Sequence, residues 1–287
     1  MDIVIAIALL GGLSVIFGLV LAAASKVFYV ETDPRLDKLN DCLPCANCGG
    51  CGYTGCSSYA EAVLNGEASI GQCASGGNES AQAMAAIMGV QVADVTRKVA
   101  LVRCSGEKKY DESGNQISGA KIKATYEGIQ DCLAASKVGG RGPLSCKFGC
   151  LGYGSCVKQC QYGAISIQNG VAVVDEDLCV GCMSCAAACP RGLIMAVDPD
   201  SHTIVACSSH AKGAVTTRGC TQGCIGCGLC TKICPNDAIH VDHNLAVIDY
   251  SKCVGCGLCA TVCPKKLISS NIEDPSQVVI PTKAENE

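Results

Sequence analysis

CIGCGLCTKICP (224–235) and CVGCGLCATVCP (253–264), with seventeen residues between them, set the reading of this chain. Each run is C-x2-C-x2-C-x3-C-P. Three thiolates in one tight turn with a remote fourth suit a 4Fe–4S cluster, and in paired runs the fourth Cys ligates the cluster of the other run. One cluster therefore takes Cys224, Cys227, Cys230 and Cys263, and its neighbour takes Cys253, Cys256, Cys259 and Cys234. Pro235 and Pro264 turn the chain away after each fourth Cys, because proline cannot continue a helix. Zinc usually takes two separated Cys pairs, and a disulfide framework requires no such triplets, so both readings rank behind iron–sulfur.

The pair has a copy of itself upstream. Cys146, Cys150, Cys156, Cys160, Cys179, Cys182, Cys185 and Cys189 each have a Cys 74 positions later. Eight matches without a gap are an internal duplication. Cys132 and Cys207 match with one residue of slip. The first copy departs at one ligand: Tyr153 falls opposite Cys227. Cys146, only four residues before Cys150, is the nearest replacement, which assigns Cys146, Cys150, Cys156 and Cys189 to one cluster. Cys160, Cys179, Cys182 and Cys185 form the other; Gln161 replaces the proline, but ligation needs only the thiol. The alternative at Tyr153 is a three-iron cluster or none. AISIQNGVAVVD and AIHVDHNLAVID alternate apolar and polar residues around a turn, and each predicts a β-hairpin beside the clusters.

Composition agrees. The 287 residues include 26 Cys and 33 Gly but only 3 Phe and no Trp, so metal clusters must supply part of the cores that aromatics usually build. The formal charge is −4. Each cluster with four thiolates adds about −2, which argues against a nucleic-acid partner. Residues 3–25 carry no charge over 23 positions, where about 20 span a bilayer, and Lys26, Arg35 and Lys38 follow. The spacing predicts an N-terminal transmembrane helix with the rest of the chain cytoplasmic. A cleaved signal peptide is the rival, but its basic n-region is missing. Residues 80–102 have helical apolar spacing, and 108–119 reads as a surface loop.

A third cysteine group lies between: Cys42, Cys45, Cys48, Cys51, Cys56 and Cys73. Six thiols compete for four places. Cys48, Cys51 and Cys56 with remote Cys73 form one set, and the ladder Cys42, Cys45, Cys48 and Cys51 forms another; spacing does not choose. NCGGCGYTGCSSYAEAV (47–63), after a single apolar span and before Cys73, resembles the start of the B subunit of the Rnf complexes. The resemblance implies a first cluster on Cys48, Cys51, Cys56 and Cys73, and it extends over nearly the whole layout. The second ferredoxin-like copy goes beyond the minimal family pattern.

The fold class expected is α+β, built of small metal-rich domains. Residues 1–30 are the transmembrane anchor and 31–78 a single-cluster module. Residues 79–130 are a linker with a helical region. Two tandem double-cluster ferredoxin-like domains occupy 131–200 and 201–270, before a polar tail at 271–287. Five 4Fe–4S clusters use twenty thiolates. Cys42, Cys45, Cys104, Cys132, Cys207 and Cys220 remain, and a sixth cluster would draw on them. No phosphate-binding loop or paired histidine is present, so the chain reads as an electron carrier without a substrate site of its own. The Rnf resemblance implies a translocase component on the cytoplasmic face of the inner membrane. Its donor would be soluble ferredoxin. Its partners would be other Rnf subunits, among them the NAD/FMN-binding subunit and integral membrane subunits. The reaction implied is NAD+ reduction coupled to Na+ or H+ movement. Lys137, Arg141, Lys147 and Lys158, or Lys232, Lys252, Lys265 and Lys266, are candidate landing sites for an acidic donor. The alternative function is an anchored iron–sulfur reductase with its own small-molecule site.

Overall fold

The computed structural model describes residues 2–27, 33–199 and 203–270. The expected tail at 271–287 lies outside the described residues. Helix α1 is Asp2–Val27, and its side chains are described from Gly11 onward. Leu13, Val15, Ile16, Phe17, Leu19, Val20 and Leu21 are all exposed, so these side chains pack on no core among the described residues. Part of the apolar run 3–25 thus falls outside the described side chains. Among the described residues no helix is long and apolar enough to cross a membrane.

The next module is helical. Asp33 caps α2 (Pro34–Asp41) by accepting the Arg35 N–H, and Pro34 opens the helix where no donor is needed. α2 packs with α3 (Cys56–Leu64) and α4 (Gly77–Met88) around Leu39, Tyr59 and Met84, which are fully buried. The Tyr59 hydroxyl donates to Ser69 O at 2.9 Å and accepts from Gln72 N at 3.2 Å, so its polar end is satisfied inside the core.

The helix expected over 80–102 stops early. Gly89 adopts φ 67° and ends α4. Its C-terminal part is instead strand β1 (Val99–Val102), whose apolar side chains are half or fully buried. The expected linker is therefore shared. Ser80 in α4 donates to Cys42 O at 2.6 Å, and β1 belongs to the first ferredoxin-like unit. Residues 108–119 hold an exposed hairpin, β2 (Lys109–Tyr110) and β3 (Gln116–Ser118).

In the first unit α5 (Cys132–Lys137) and α6 (Ser155–Gln159) precede a hairpin of β4 (Ile165–Gln168) and β5 (Val171–Val174). α7 (Ser184–Ala187) and β6 (Ile194–Val197) complete it, with β6 antiparallel to β1. The second unit has β7 (Thr203–Val205), α8 (Gly213–Gly219) and α9 (Leu229–Ile233). The hairpin β8 (Ile239–Asp242) with β9 (Leu245–Ile248), then α10 (Leu258–Thr261) and β10 (Ile268–Ser270), follow. β10 pairs with β7. Both hairpins predicted from alternation are present. Their two-residue turns, Asn169-Gly170 and His243-Asn244, have positive φ at both positions, the geometry that matches strand twist.

The strand pairing redefines the repeat. Val102 faces Ile194, Val205 faces Ile268, and the two isoleucines are 74 residues apart. The Arg103 amide donates to Leu193 O at 2.8 Å and the Ala206 amide to Leu267 O at 2.9 Å. β1 is thus the counterpart of β7. Cys104, two residues beyond β1, is the counterpart of Cys207, two beyond β7. The alignment of Cys132 with Cys207 is corrected: the first unit carries an insertion after β1 that a constant offset cannot follow.

Candidate metal centres

The cysteines stand in loops that only certain residues can form. Gly154, Gly228 and Gly257 precede α6, α9 and α10 with φ near 70°, and Met183 holds the same place before α7 at φ 58°. Gly181 sits at φ 70° with Lys98 O 2.3 Å from where a Cβ would be, so the loop lies directly on the neighbouring backbone.

Four cavities of nearly equal size are each lined by four cysteines. Cys224, Cys227, Cys230 and Cys263 line one of about 360 Å³. Cys234, Cys253, Cys256 and Cys259 line another of about 360 Å³. These are the two motif quartets. In the first unit the cavity of about 360 Å³ is lined by Cys132, Cys150, Cys156 and Cys189. The expected quartet placed Cys146 there. The chain brings up Cys132 instead, at the start of α5, while Tyr153, opposite Cys227 in the repeat, does not line the cavity and packs on Tyr126 at 5.2 Å between ring centroids. Cys146 lines the fourth cavity, of about 340 Å³, with Cys104, Cys207 and Cys220.

Cys160, Cys179 and Cys182 surround Cys185, whose thiol is pushed up to about 11 by burial and by those neighbours. In the N-terminal module Cys73 is buried and faces Cys51, Cys56 and Cys48; burial and those thiols raise it further. The rival ladder is not gathered in this way: Cys45 is exposed at φ 52°. Asn47 accepts the Cys56 amide at 2.8 Å and closes the loop. Cys42 and Cys45 stay outside every quartet.

The donor chemistry fits iron–sulfur clusters. Burial pushes the thiols of Cys156 and Cys259 up to about 12, each reinforced by three or more neighbouring thiols. Such thiols are neutral until a metal takes the place of the proton. Backbone amides aim at the sulfurs: Ala100 N to Cys179 at 3.3 Å, Ala238 N to Cys234 at 3.3 Å and Leu193 N to Cys189 at 3.5 Å. These contacts tune a cluster's potential. No disulfide joins any of the cysteines, and among the described residues no three His, Cys, Asp or Glu side chains converge as a single metal ion requires.

The module and the first unit touch at their cysteines. Ser184 donates to Cys48 O at 3.0 Å, and a Cβ on Gly50 would lie 2.5 Å from Cys182 O.

Family models match along the chain: "Putative Fe-S cluster" over 43–75, "4Fe-4S binding domain" over 172–195 and "4Fe-4S dicluster domain" over 223–267. The chain is 40% identical over 272 residues to the B subunit of the Na(+)-translocating ferredoxin:NAD(+) oxidoreductase complex of Acetobacterium woodii, covering 94% of this chain and 79% of that protein. It belongs to the family of Rnf complex B subunits. Another member, the B subunit of the ion-translocating oxidoreductase complex of Methanosarcina acetivorans, is 39% identical over 86% of this chain and 90% of its own length. The B subunit of the proton-translocating ferredoxin:NAD(+) oxidoreductase complex of Clostridium ljungdahlii is 40% identical over 83% and 81%. Iron–sulfur electron transfer by several 4Fe–4S domains follows for this Rnf component as well. What reading the sequence missed was Cys132; the empty place at Tyr153 signalled that a ligand was needed but not from where.

Proposed function

We propose that this Rnf component accepts electrons from reduced soluble ferredoxin and passes them through its clusters to the other Rnf subunits. The NAD/FMN-binding subunit and the integral membrane subunits are the recipients, and NAD+ reduction drives Na+ or H+ translocation. Support comes from relatives named for that reaction and from cysteine quartets that abut one another from the N-terminal module into the first unit. A bound 4Fe–4S cluster supplies a one-electron carrier. The chain's own residues supply thiolates, amide donors to sulfur and cavity walls that keep water away.

α1 is the membrane anchor in this reading. The reading rests on the uncharged run 3–25, part of whose side chains lie outside the described residues. Its exposed apolar side chains meet no core among the described residues, and Lys26 at the end suits a cytoplasmic headgroup layer. The five motif-led sites use Cys48, Cys51, Cys56, Cys73; Cys160, Cys179, Cys182, Cys185; Cys132, Cys150, Cys156, Cys189; and the two quartets of the second unit.

The donor meets the second unit. Cys227 is exposed, whereas its counterpart in the first unit is Tyr153, which packs on Tyr126 and carries no thiol. Lys265 lines the Cys227 cavity, and Lys232 and Lys266 are exposed nearby. Charge reversal of Lys232, Lys265 and Lys266 should slow electron uptake from ferredoxin and flatten its salt dependence. Unchanged uptake and salt slope would place the donor elsewhere.

A further inference from the structure

We propose that Arg191 and Lys108 are tuning residues of the first unit, two half-buried cations that raise the reduction potential of the cluster held by Cys132, Cys150, Cys156 and Cys189. The inference rests on the iron–sulfur reading of that cavity and adds what its neighbours do to it. Arg191 is part of the cavity wall, beside the four thiols. Its guanidinium is held by backbone on two sides: one terminal nitrogen donates to the Cys146 and Gly149 carbonyls, and the other to Arg141 O. Its Nε is buried and has no hydrogen-bond partner among the described residues. A buried charged donor left unpaired costs free energy. Sulfide and thiolate sulfur are the acceptors that a cluster in this cavity brings to it.

Lys108 reaches the same ligand loop from the hairpin side. Its amide donates to Asn169 O at 2.9 Å. A Cβ on Gly170 would lie 2.5 Å from Lys108 Nζ, and a Cβ on Gly152 would lie 2.5 Å from Gly170 O. The ammonium therefore lies on the turn that itself lies on the Cys150–Cys156 loop. Burial lowers the proton affinity of this ammonium, and negative charge at Cys150 opposes that.

The second unit arranges the same places differently. His243 is the counterpart of Asn169 at the 74-residue offset, and its carbonyl meets the His210 ring at 3.3 Å where Asn169 O meets the Lys108 amide. Lys265 is the counterpart of Arg191, and its single nitrogen is drawn to Thr221 O at 3.1 Å. Only the arginine fork can hold backbone carbonyls at its tips and still present Nε at the cavity wall. Reduction adds negative charge to a cluster, so a fixed cation or donor in a poorly screened place favours the reduced form. A raised potential draws electrons into the first unit.

An EPR-monitored redox titration of the full chain, purified without oxygen, tests this on the signal that C132S lacks. Iron and sulfide are counted on every variant. Arg191→Gln and Lys108→Gln should each keep full iron and lower the midpoint of that signal. For Arg191→Gln the one-electron equilibrium should shift roughly tenfold, about 59 mV. Arg191→Lys, which keeps the charge without the Nε donor, should recover part of the shift, and Lys108→Arg most of it. Lys137→Gln, which removes an exposed charge from the same unit, should leave the midpoint in place. Unchanged midpoints in both Gln variants overturn the proposal, as does an equal shift in Lys137→Gln. If one Gln variant loses its iron, the other decides; iron lost from both makes the two residues structural and overturns the tuning role. A native chain without the signal, or C132S with every signal intact, overturns the cluster assignment on which the proposal stands.

Discussion

The amide of Cys132 donates to Ser155 Oγ at 2.8 Å. Ser155 in turn donates to Asp131 Oδ2 at 2.6 Å, so the start of α5 is fastened to the helix that carries Cys156. A thiol far from the motif is thereby delivered to the place that Tyr153 leaves without one. C132S should remove the cluster from the Cys150, Cys156 and Cys189 cavity, lowering iron by about four per chain. C146S should spare that cavity. Mössbauer and EPR spectra of the two variants check the assignment, and identical spectral losses would refute it.

Gly181 carries a sharper steric demand than most loop glycines. With φ 70° and Lys98 O 2.3 Å from where a Cβ would be, Gly181→Ala forces backbone movement beside Cys179 and Cys182. A cost of about 1–3 kcal/mol is expected, with partial loss of the cluster. Gly163→Ala shares the positive φ of 64° but meets nothing within 4 Å, so it should cost about 1 kcal/mol or less and keep full iron. Thermal unfolding with iron analysis distinguishes them.

The buried thiols give a pH dependence of opposite sign with and without metal. Cys104, Cys156 and Cys259 are pushed up to about 12, chiefly by burial. A thiol raised in the folded state stabilises the metal-free fold fully below the unfolded value of about 8.5, and that stability is lost as pH rises toward the folded value. The metal-free chain should therefore weaken between about pH 8.5 and 12. Loading with iron and sulfide displaces these protons, so it should release acid and proceed further at about pH 8.5 than at about 6.5. A pH-stat record during reconstitution measures the release; no proton release would contradict the buried neutral thiols.

Much of this architecture was legible in advance because cluster ligation is local. C-x2-C-x2-C-x3-C-P fixes three ligands in one loop, and the 74-residue offset exposes the duplication. The hairpins followed from alternation around Asn169-Gly170 and His243-Asn244. Cys132 and Cys104 were not legible. Both lie between β1 and α6, where the first unit carries its insertion, and pairing with a constant offset fails across an insertion. The helix expected to 102 failed for a related reason: Val95, Val99 and the residues around them keep apolar spacing compatible with either period, and only the partner strand β6 decides.

Contact between the N-terminal module and the first unit should carry electrons. Gly50→Val inserts a side chain where Cys182 O lies 2.5 Å from the Cβ position, and Ser184→Ala removes the bond to Cys48 O. Together they should slow transfer between module and unit without lowering iron. Freeze-quench EPR of the complex would follow it, and an unaltered rate would show that electrons travel by another route.

A relay fed by ferredoxin fixes an order of events in time, and rapid mixing resolves that order. The intact complex is mixed with reduced ferredoxin while cluster absorbance and NADH are followed together. Bleaching of the clusters on this chain should precede NADH formation. That bleaching should be slowed by charge reversal at Lys232, Lys265 and Lys266. NADH appearing at full rate while these clusters stay oxidised would be incompatible with a relay through this chain.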